Sequence, residues 1–297
     1  MNRSPFFYVG DKYKLISQLE EYFPKNINRL IEPFCGGGSV FLNINANKYI
    51  ANDNNNYMIK LHRFLCSYKN NRNAFFEEIE NIIKMFGFSA SYMGINVPFE
   101  MKNKYVKTYY AIYNRDSYFK LKKEFNKTKD NMFYLYLLLI YGFNHMLRFN
   151  SVGDFNLPVG NVDFNKNVFD SLNFYFDSVK TKKIEFYCED FEKFVLNRRF
   201  KENDFVYFDP PYLISGSEYN KNWSINEEKR LLNLLDLLNE KGVKFALSNV
   251  LIHKGKENSL LLNWSKKYRV INIKSNYISF HDNTIKDSKE VLIVNYE

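Results

Sequence analysis

Residues 29–39 read Arg-Leu-Ile-Glu-Pro-Phe-Cys-Gly-Gly-Gly-Ser, a strand-sized apolar run that enters a helical stretch through three glycines. Glycine lets the backbone approach a bound molecule closely, so a glycine turn between a strand and a helix is typical of a ligand loop. A second short strand, at 49–51, ends at Asn52 and Asp53. The Asp53 carboxylate is suitably placed to accept both hydroxyls of a ribose, which NAD, FAD and S-adenosylmethionine all carry. A tight structural turn with an ordinary surface aspartate is the alternative.

Strands and helices alternate through most of the chain. An amphipathic helix is predicted at 15–22, and a long helix at 227–240 ends before Gly242. Strands separated by helices predict an α/β fold with a mainly parallel sheet covered on both faces. The predicted strands lie at 29–32, 49–51, 184–188, 205–208 and 243–248, with a closing pair at 269–273 and 291–295 around the polar stretch 277–289.

The alternation is interrupted by a long middle stretch that is rich in Lys, Asn and Tyr and has helical patterns. This change predicts one α/β domain in two parts, residues 1–56 and 169–297, with an inserted, mostly helical subdomain at 57–168. Among the helical patterns of the insert are those at 60–67, 74–85 and 132–143.

The charge balance of the chain favours a polyanionic partner. There are 42 Lys and Arg against 33 Asp and Glu, a net charge of +9, and each phosphate that such a surface neutralises releases counterions. Aromatic residues make up 18% of the chain. Most of them must be core, but a few are available to stack on bases. The basic, aromatic-laced insert therefore fits a DNA-tracking surface as well as an ordinary solvated face.

Cysteines and histidines show no paired ligand spacing, so we predict no metal site and no disulfide framework. Reduced cysteines fit a cytoplasmic chain. No signal-peptide pattern opens the sequence, and the longest apolar stretch, 132–141, is about half the roughly 20 residues of a membrane span. The cysteines are Cys35, Cys66 and Cys188, and the histidines are His62, His145, His253 and His281.

The motif with the most specific chemistry is Asp209-Pro210-Pro211-Tyr212, directly after the strand 205–208. The two prolines remove two backbone donors and stiffen the chain at the carboxyl edge of the sheet, where open α/β sheets bind ligands. The Asp209 carboxylate and the Pro210 carbonyl can jointly accept the two hydrogens of a flat amino group, while the Tyr212 ring stacks on the attached base. Simple termination of the strand is the structural alternative.

These motifs resemble, in their order along nearly the whole chain, the Dam-type (D12 class) N6-adenine-specific DNA methyltransferases, whose catalytic signature is Asp-Pro-Pro-Tyr. The resemblance implies a Rossmann-like methyltransferase fold, S-adenosylmethionine as cofactor, and methylation of adenine N6 on a base flipped out of double-stranded DNA. It is carried by residues 8–12, 32–41, 52–53, 209–212 and 248–249. The catalytic residues would be Asp209, Pro210, Pro211 and Tyr212, and the cofactor-binding residues Tyr8, Lys12, Phe34, Gly36, Gly37, Gly38, Asp53, Asp190 and Asp209.

Residues 143–150, Phe-Asn-His-Met-Leu-Arg-Phe-Asn, resemble together with residues 153–160 the DNA-reading hairpin of the family. By this resemblance Arg148 would reach a guanine edge, for which arginine is the usual bidentate partner. A salt-bridged surface arginine is the alternative. The DNA-binding residues so implied are Phe143, Asn144, Met146, Arg148, Asn150 and Pro158.

The chain also departs from the family pattern. The best-known relatives have Trp and Gly-Gly-Lys where this chain has Tyr8 and Gly10-Asp11-Lys12, and often Gly and Leu where it has His145 and Met146. Lys12 would still pair with the methionine carboxylate of the cofactor, whereas the Asp11 charge has no explanation in the sequence. For Asp190, a helix N-cap is as good an interpretation as a cofactor contact.

Rival functions stay open at this point. The amino group could belong to cytosine N4, RNA adenine or a protein amide, and the chain could be a catalytically silent DNA-binding module. A nicotinamide-dependent oxidoreductase leaves residues 209–212 without a role. We expect a monomer that acts on double-stranded DNA and does not bind a membrane. A cognate restriction endonuclease would be a functional partner and not a physical one.

Overall fold

The computed structural model describes residues 2–215, 223–274 and 288–297. His281 and most of the polar stretch 277–289 lie outside these residues. The helices are α1 (Ile16–Tyr22), α2 (Ser39–Asn43), α3 (Asn56–Ser67), α4 (Arg72–Phe86), α5 (Phe99–Lys104), α6 (Tyr109–Thr128), α7 (Met132–Tyr141), α8 (Lys166–Thr181), α9 (Phe191–Leu196), α10 (Ile225–Glu240) and α11 (Ser259–Ser265). The strands are β1 (Arg29–Glu32), β2 (Lys48–Asn52), β3 (Ile184–Tyr187), β4 (Asp204–Phe208), β5 (Lys244–His253), β6 (Lys256–Glu257), β7 (Arg269–Ile273) and β8 (Ser288–Val294).

The chain forms two compact units. The first contains residues 12–54 and 182–297, and the second contains residues 2–11 and 55–181. The boundary expected after residue 168 falls inside α8, a continuous helix that belongs as a whole to the second unit. Its buried face, which includes Leu172 and Tyr175, explains why the helix cannot be divided there.

A mixed sheet is the centre of the first unit, with strand order β3-β2-β1-β4-β5-β8-β7. The strands from β3 to β5 are parallel, and β8 runs antiparallel between β5 and β7. This confirms the α/β fold and the strands predicted from sequence. The predicted strand 243–248 is longer in the structure, because β5 continues to His253 along the antiparallel partner β8.

The sheet is apolar because helices cover it. Every residue of β4 is buried, as expected of a central parallel strand with both faces covered. Helix α10 buries Leu231, Leu234, Leu235 and Leu238 against this core, and their spacing places all four on one face of a helix.

The second unit is built around α7, in which every residue from Leu135 to Tyr141 is buried. A helix that is apolar on all sides is stable only at the centre of a core. Its tyrosines stay satisfied, because the Tyr136 and Tyr141 hydroxyls donate to the carbonyls of Pro5 and Ser89. Among the residues that the structure describes, no helix has both the length and the apolar character needed to cross a membrane.

The predicted helix 132–143 ends two residues early, at Tyr141. Gly142 leaves the helix with extended backbone angles, and a Cβ atom there would lie 2.5 Å from the Leu138 carbonyl oxygen. A Cβ atom at Gly160 would lie 2.7 Å from the Gly142 carbonyl oxygen. The two glycines therefore let the chain segments at 142 and 160 pass each other at backbone distance.

Candidate active site

Strands β1 and β4 are neighbours, and the chain proceeds outward from them in opposite directions, to β2 and β3 on one side and to β5 on the other. In open α/β sheets, ligands bind beyond the carboxyl ends of the strands at such a reversal. The glycine turn follows β1 and the Asp-Pro-Pro-Tyr motif follows β4. We call this border of the sheet the carboxyl edge.

The glycine turn forms a loop that leads into α2. Gly36 and Gly38 have φ angles of 46° and 82°, and Gly38 is the N-cap of α2. Such left-handed angles favour glycine, which explains why these positions lack a side chain. The buried carboxylate of Asp53 accepts a hydrogen bond from the Gly36 N–H at 2.9 Å. The glycine turn and Asp53, both predicted to bind a ligand, are therefore in direct contact. Gly37 lies between the two left-handed glycines.

Asn52 holds three strand ends together. Its amide donates to the carbonyls of Pro33 and Glu189, and its carbonyl oxygen accepts from the Glu189 N–H, each within 3.0 Å. Asn52 is completely buried. The sequence marked it only as part of a family motif, because its partners come from distant segments.

Phe34, predicted to bind the cofactor, lies in an aromatic cluster at this edge. Its ring centroid is 5.1 Å from that of Phe191 and 5.7 Å from that of Trp223. Phe34 and Trp223 remain partly exposed. Sequence reasoning missed Trp223, since no local pattern connects it to the loop after β1.

Asp209, the first residue after β4, forms an ion pair with Lys12. The distance between Lys12 Nζ and Asp209 Oδ1 is 2.7 Å, and both side chains are largely buried. Burial raises the pKa of Asp209, the Lys12 charge lowers it, and the nearby Glu290 carboxylate raises it again. Asp209, predicted for both catalysis and cofactor binding, thus contacts Lys12, predicted for cofactor binding, directly.

Tyr212 completes this cluster. Its hydroxyl donates toward Glu290 Oε1 at 3.1 Å and toward Asp209 Oδ1 at 3.4 Å. Lys12 Nζ lies 5.1 Å from the centre of the Tyr212 ring, a distance typical of a cation–π contact. Between Asp209 and Tyr212, Pro210 is buried and Pro211 is partly exposed.

Two buried glutamates at the carboxyl edge were not predicted. Among the described residues, Oε1 of Glu32 and Oε2 of Glu290 have no hydrogen-bond partner. Burial raises the pKa of Glu32 well above its ordinary value of 4.5, and the Asp209 charge raises it further. Buried carboxylates with one oxygen left without a hydrogen bond cost stability and are typical of functional sites. The sequence marked Glu32 only as part of a family motif, and Glu290 lies just before the predicted strand 291–295, where no sequence signal identified it.

Ser248 and Asn249 connect the middle of β5 to its neighbours. Ser248 Oγ lies 2.7 Å from the Tyr207 hydroxyl of β4. The Asn249 amide donates to Glu228 of α10, whose carboxylate also accepts from the Trp223 indole N–H at 2.6 Å. Glu228 was missed by sequence reasoning, yet it anchors the aromatic ring that covers Phe34.

Asp190 is the N-cap of α9. Its Oδ1 accepts from the N–H groups of Glu192 and Lys193, and forms an ion pair with Arg230 at 2.8 Å. The N-cap interpretation is therefore observed. The cofactor contact that the family resemblance implied stays a prediction.

The second unit contains the remaining predicted residues near the amino terminus. Tyr8 is buried there. Asp11, whose charge had no explanation in the sequence, lies 3.5 Å from the Arg3 guanidinium. The departure from the family pattern at Asp11 therefore has a local electrostatic partner in this chain.

Residues 142–160 form a hairpin, which we call the reading hairpin. Antiparallel bridges join Gly142 to Val159 and Phe149 to Phe155, and the N–H of Asn156 donates to the Arg148 carbonyl at 3.0 Å. Each of the six predicted DNA-binding residues belongs to this hairpin. Phe143, Asn144, Asn150 and Pro158 are exposed, and Met146 and Arg148 are partly exposed.

The start of the hairpin is strained. Asn144 and His145 have φ angles of 53° and 50°, a left-handed region that costs energy for residues other than glycine and clusters at functional sites. The imidazole of His145 lies 3.2 Å from the Leu139 carbonyl, and burial lowers its pKa. The family's frequent glycine at this position fits the observed backbone without strain.

Arg148 is held by Asn156 across the hairpin. Its Nε and Nη2 donate to the side-chain and backbone oxygens of Asn156 at 3.0 and 2.8 Å. These two bonds orient the guanidinium across the hairpin. Asn150, at the turn, accepts from the N–H groups of Val152 and Asp154.

Helix α6 fixes the far strand of the hairpin. The Asn126 side chain exchanges two hydrogen bonds with the Phe155 backbone, and Lys122 Nζ donates to the Leu157 carbonyl. Lys129, which follows the helix, forms an ion pair with Asp154 at 2.7 Å. Sequence analysis did not connect α6 with the hairpin, because these contacts depend on tertiary structure.

No cluster of three or more potential metal ligands occurs in residues 2–215, 223–274 and 288–297. The three cysteines are free thiols.

Comparison with known proteins agrees with the motifs. The family described as D12 class N6 adenine-specific DNA methyltransferase matches residues 8–278. Type II methyltransferase M.FokI of Planomicrobium okeanokoites is 37% identical over 99% of this chain and 43% of that protein. Modification methylase StsI of Streptococcus sanguinis is 35% identical over 99% and 43%.

The chain thus spans less than half the length of these two relatives. A DNA adenine methylase of Escherichia coli (strain K12) is 27% identical over 84% of this chain and 81% of that protein. The match of the family model along most of the sequence leads to one conclusion: the chain belongs to the D12 class N6 adenine-specific DNA methyltransferase family.

Proposed function

We propose that this chain transfers a methyl group from S-adenosylmethionine to N6 of adenine in double-stranded DNA. The observation that carries the proposal is the cluster of Lys12, Asp209 and Tyr212 at the end of β4, beside the glycine loop that follows β1. Family membership supports the reaction, and the net charge of +9 supports a DNA substrate.

The residues around the glycine loop have the chemistry that the cofactor needs. Asp53 is a buried carboxylate, the kind of group that accepts from ribose hydroxyls, and it contacts the glycine loop through the Gly36 N–H. The partly exposed ring of Phe34 would stack on the adenine of the cofactor. The Lys12 ammonium would pair with the carboxylate of the cofactor's methionine part. When bound, S-adenosylmethionine supplies a methyl group on a positively charged sulfur. Tyr8 and Asp190 remain further candidates by family resemblance.

The target amino group needs acceptors because its lone pair is delocalised into the purine ring. Asp209 and the carbonyl of Pro210 would accept its two hydrogens, which favours a pyramidal nitrogen and stabilises the positive charge that develops on it. Asp209 must be ionised for this role. Its ion pair with Lys12 favours the ionised form against the cost of burial.

The base must leave the duplex to reach these oxygens, at a cost of a few kcal/mol. Stacking on Tyr212, with Pro211 stiffening the chain before it, would offset part of this cost. The reading hairpin would supply sequence discrimination through Arg148, with Phe143, Asn144, Met146, Asn150 and Pro158 as further contacts. The inserted part of the chain would thus act as a target-recognition subdomain.

The decisive experiment is nucleoside mass spectrometry of DNA from a host that expresses the chain. We expect N6-methyladenine, and its loss in an Asp209→Ala variant that retains the wild-type melting temperature. Appearance of N4-methylcytosine, or of methyladenine in RNA only, would assign the cluster to another amino group. Persistence of N6-methyladenine in the variant would remove Asp209 from the mechanism.

Two relatives bear the names of a Type II methyltransferase and a modification methylase. We propose that this chain likewise protects one DNA sequence against a cognate endonuclease. Methylation-sensitive sequencing would identify that sequence. Methylation scattered over unrelated adenines would contradict a protective role.

A further inference from the structure

The Tyr212 hydroxyl lies between two carboxylates. Its oxygen is 3.1 Å from Oε1 of Glu290 and 3.4 Å from Oδ1 of Asp209. A phenol hydroxyl carries one hydrogen, so it can donate to only one of the two at a time. The shorter distance favours donation to Glu290.

Sheet topology explains why Glu290 is there. Strand β5 continues past the end of β4, and Glu290 near the start of antiparallel β8 pairs with Val250 in that extension. The first residues of β8 therefore reach the same edge as Asp209. Glu290 is buried, with 2% of its surface exposed, although an apolar residue would pack there without the cost of a buried charge.

We propose that Glu290 is a positioning residue, which takes the hydroxyl hydrogen of Tyr212 and so keeps the Asp209 carboxylate available to the adenine amino group. This inference rests on the proposed function. Without Glu290, the hydroxyl would turn to Asp209 and occupy a lone pair that the amino group needs. The Tyr212 ring would then also lose the contact that fixes its orientation for stacking.

The charge of Glu290 has a second effect on Asp209. The groups that face the Asp209 carboxylate are Lys12 before α1, Glu32 on β1, Tyr207 on β4, Tyr212 and Glu290. Of these, the Lys12 charge and the Tyr212 hydrogen bond lower the pKa of Asp209, and the Glu290 charge raises it. A higher pKa makes a carboxylate a stronger hydrogen-bond acceptor, provided that it stays ionised at the working pH.

Paired substitutions test the competition for the hydroxyl hydrogen. Glu290→Leu removes the acceptor, and we expect kcat for methyl transfer to fall about tenfold, as for the loss of one well-placed hydrogen bond. Adding Tyr212→Phe to Glu290→Leu removes the competing hydroxyl but keeps the ring. The double variant should therefore be faster than Glu290→Leu alone. A double variant that is equally slow or slower would overturn the proposal.

Glu290→Gln separates position from charge. The glutamine carbonyl still accepts the hydroxyl hydrogen, so kcat at the pH optimum should stay within about threefold of wild type. Removing the negative charge lowers the pKa of Asp209, so the acid limb of the kcat profile should move to lower pH. An acid limb that does not move, or that moves to higher pH, would contradict the proposed effect of the Glu290 charge on Asp209.

A readout independent of turnover is the fluorescence of 2-aminopurine placed at the target position of a duplex. The base brightens when it leaves the stack and is quenched by an aromatic partner, so we expect Glu290→Leu to change this signal and Glu290→Gln to preserve it. An identical signal in both variants would argue against positioning of Tyr212. If wild type transfers no methyl group to adenine, the proposed function fails, whereas active wild type with unaffected Glu290 variants defeats this inference alone.

Discussion

At the carboxyl edge charged side chains are largely buried and contact one another, whereas in the reading hairpin the arginine is partly exposed and is held by a single asparagine. Lys12 and Asp209 form an enclosed ion pair, and Arg148 is held by the amide and carbonyl of Asn156. Charges interact much more strongly where water is excluded. A substitution at the edge should therefore change the rate of the reaction, and one in the hairpin should change the choice of DNA.

The two regions also differ in how their polar groups are stabilised. Glu32 and Glu290 retain carboxylate oxygens without a partner among the described residues. The hairpin instead satisfies its polar groups through Asn126, Lys122 and Asn150. The edge stores electrostatic energy that a bound ligand can use, while the hairpin is a preformed scaffold for exposed side chains.

The largest effect should come from Lys12→Met, which removes the cation but keeps the length of the side chain. A buried charge without its partner is strongly unfavourable, so Asp209 should take up a proton more readily, and methyl transfer at neutral pH should fall on the order of a hundredfold, as for a rise of about two units in pKa. Loss of the Lys12 charge raises the pKa of Asp209. The acid limb of the rate profile should consequently move to higher pH.

Steady-state rates between pH 6 and 10 would measure this shift. Lys14→Met is the matched control, because Lys14 is exposed and belongs, like Lys12, to the short 3-10 helix Lys12–Lys14. Its profile should follow that of wild type. A Lys12→Met enzyme within threefold of wild type would show that the two regions do not differ in the proposed way.

Next in size is Arg148→Ala. If Arg148 reads a guanine, its loss removes about 1–3 kcal/mol of discrimination at one base pair. The rate on the correct duplex falls, while rates on duplexes altered at that position stay constant. Measurement of kcat/KM on a set of singly substituted duplexes would identify the position.

Arg115→Ala serves as the control for this prediction, since Arg115 is an exposed arginine of α6 in the same unit. It should weaken binding to all duplexes alike, if at all. A uniform loss in Arg148→Ala would instead assign Arg148 to phosphate contact.

Glu32→Gln should alter how stability depends on pH. The pKa of Glu32 is raised in the folded protein, so its favourable contribution is present below the unfolded value of about 4.5 and is lost as pH rises through the folded value. Each pKa unit corresponds to about 1.4 kcal/mol. The free energy of unfolding should therefore decrease less between pH 5 and 8 in the variant than in wild type.

Urea unfolding across this range would test the expectation. Glu185→Gln on β3 is a control that should not change the slope between pH 5 and 8, because the hydrogen bond from Lys48 lowers the pKa of that exposed carboxylate and its titration therefore falls below this range. If the free energy of unfolding of Glu32→Gln depends on pH as that of wild type does, ionisation of the buried Glu32 does not destabilise the folded protein.

The parts of the fold that could be predicted from sequence are those with local signals. The apolar runs of β1 and β4, the glycines between β1 and α2, and the position of Asp209 follow from residues close together in the chain. The end of β5 could not be predicted from nearby residues, because it depends on pairing with β8.

The candidate site divides in the same way. Its motif residues, Asn52 among them, could be named in advance, but Trp223, Glu228 and Glu290 owe their places to partners more distant in sequence or to sheet topology. Periodicity and composition carry no information about such contacts. Glu32 follows the apolar residues of β1 and Glu290 precedes those of β8, and no sequence pattern shows that these two carboxylates are buried.

The smallest effect we predict concerns His145, whose φ of 50° favours glycine. Comparison of His145→Gly with His145→Ala isolates the backbone, because both lose the imidazole. Glycine should be more stable than alanine there by about 1 kcal/mol. At Met146, where φ is −99°, the order should reverse, since alanine restricts the unfolded chain without strain. Chemical denaturation of the four variants decides the matter: alanine as stable as glycine at 145 would mean that the hairpin begins in another conformation, and that Arg148 is presented differently.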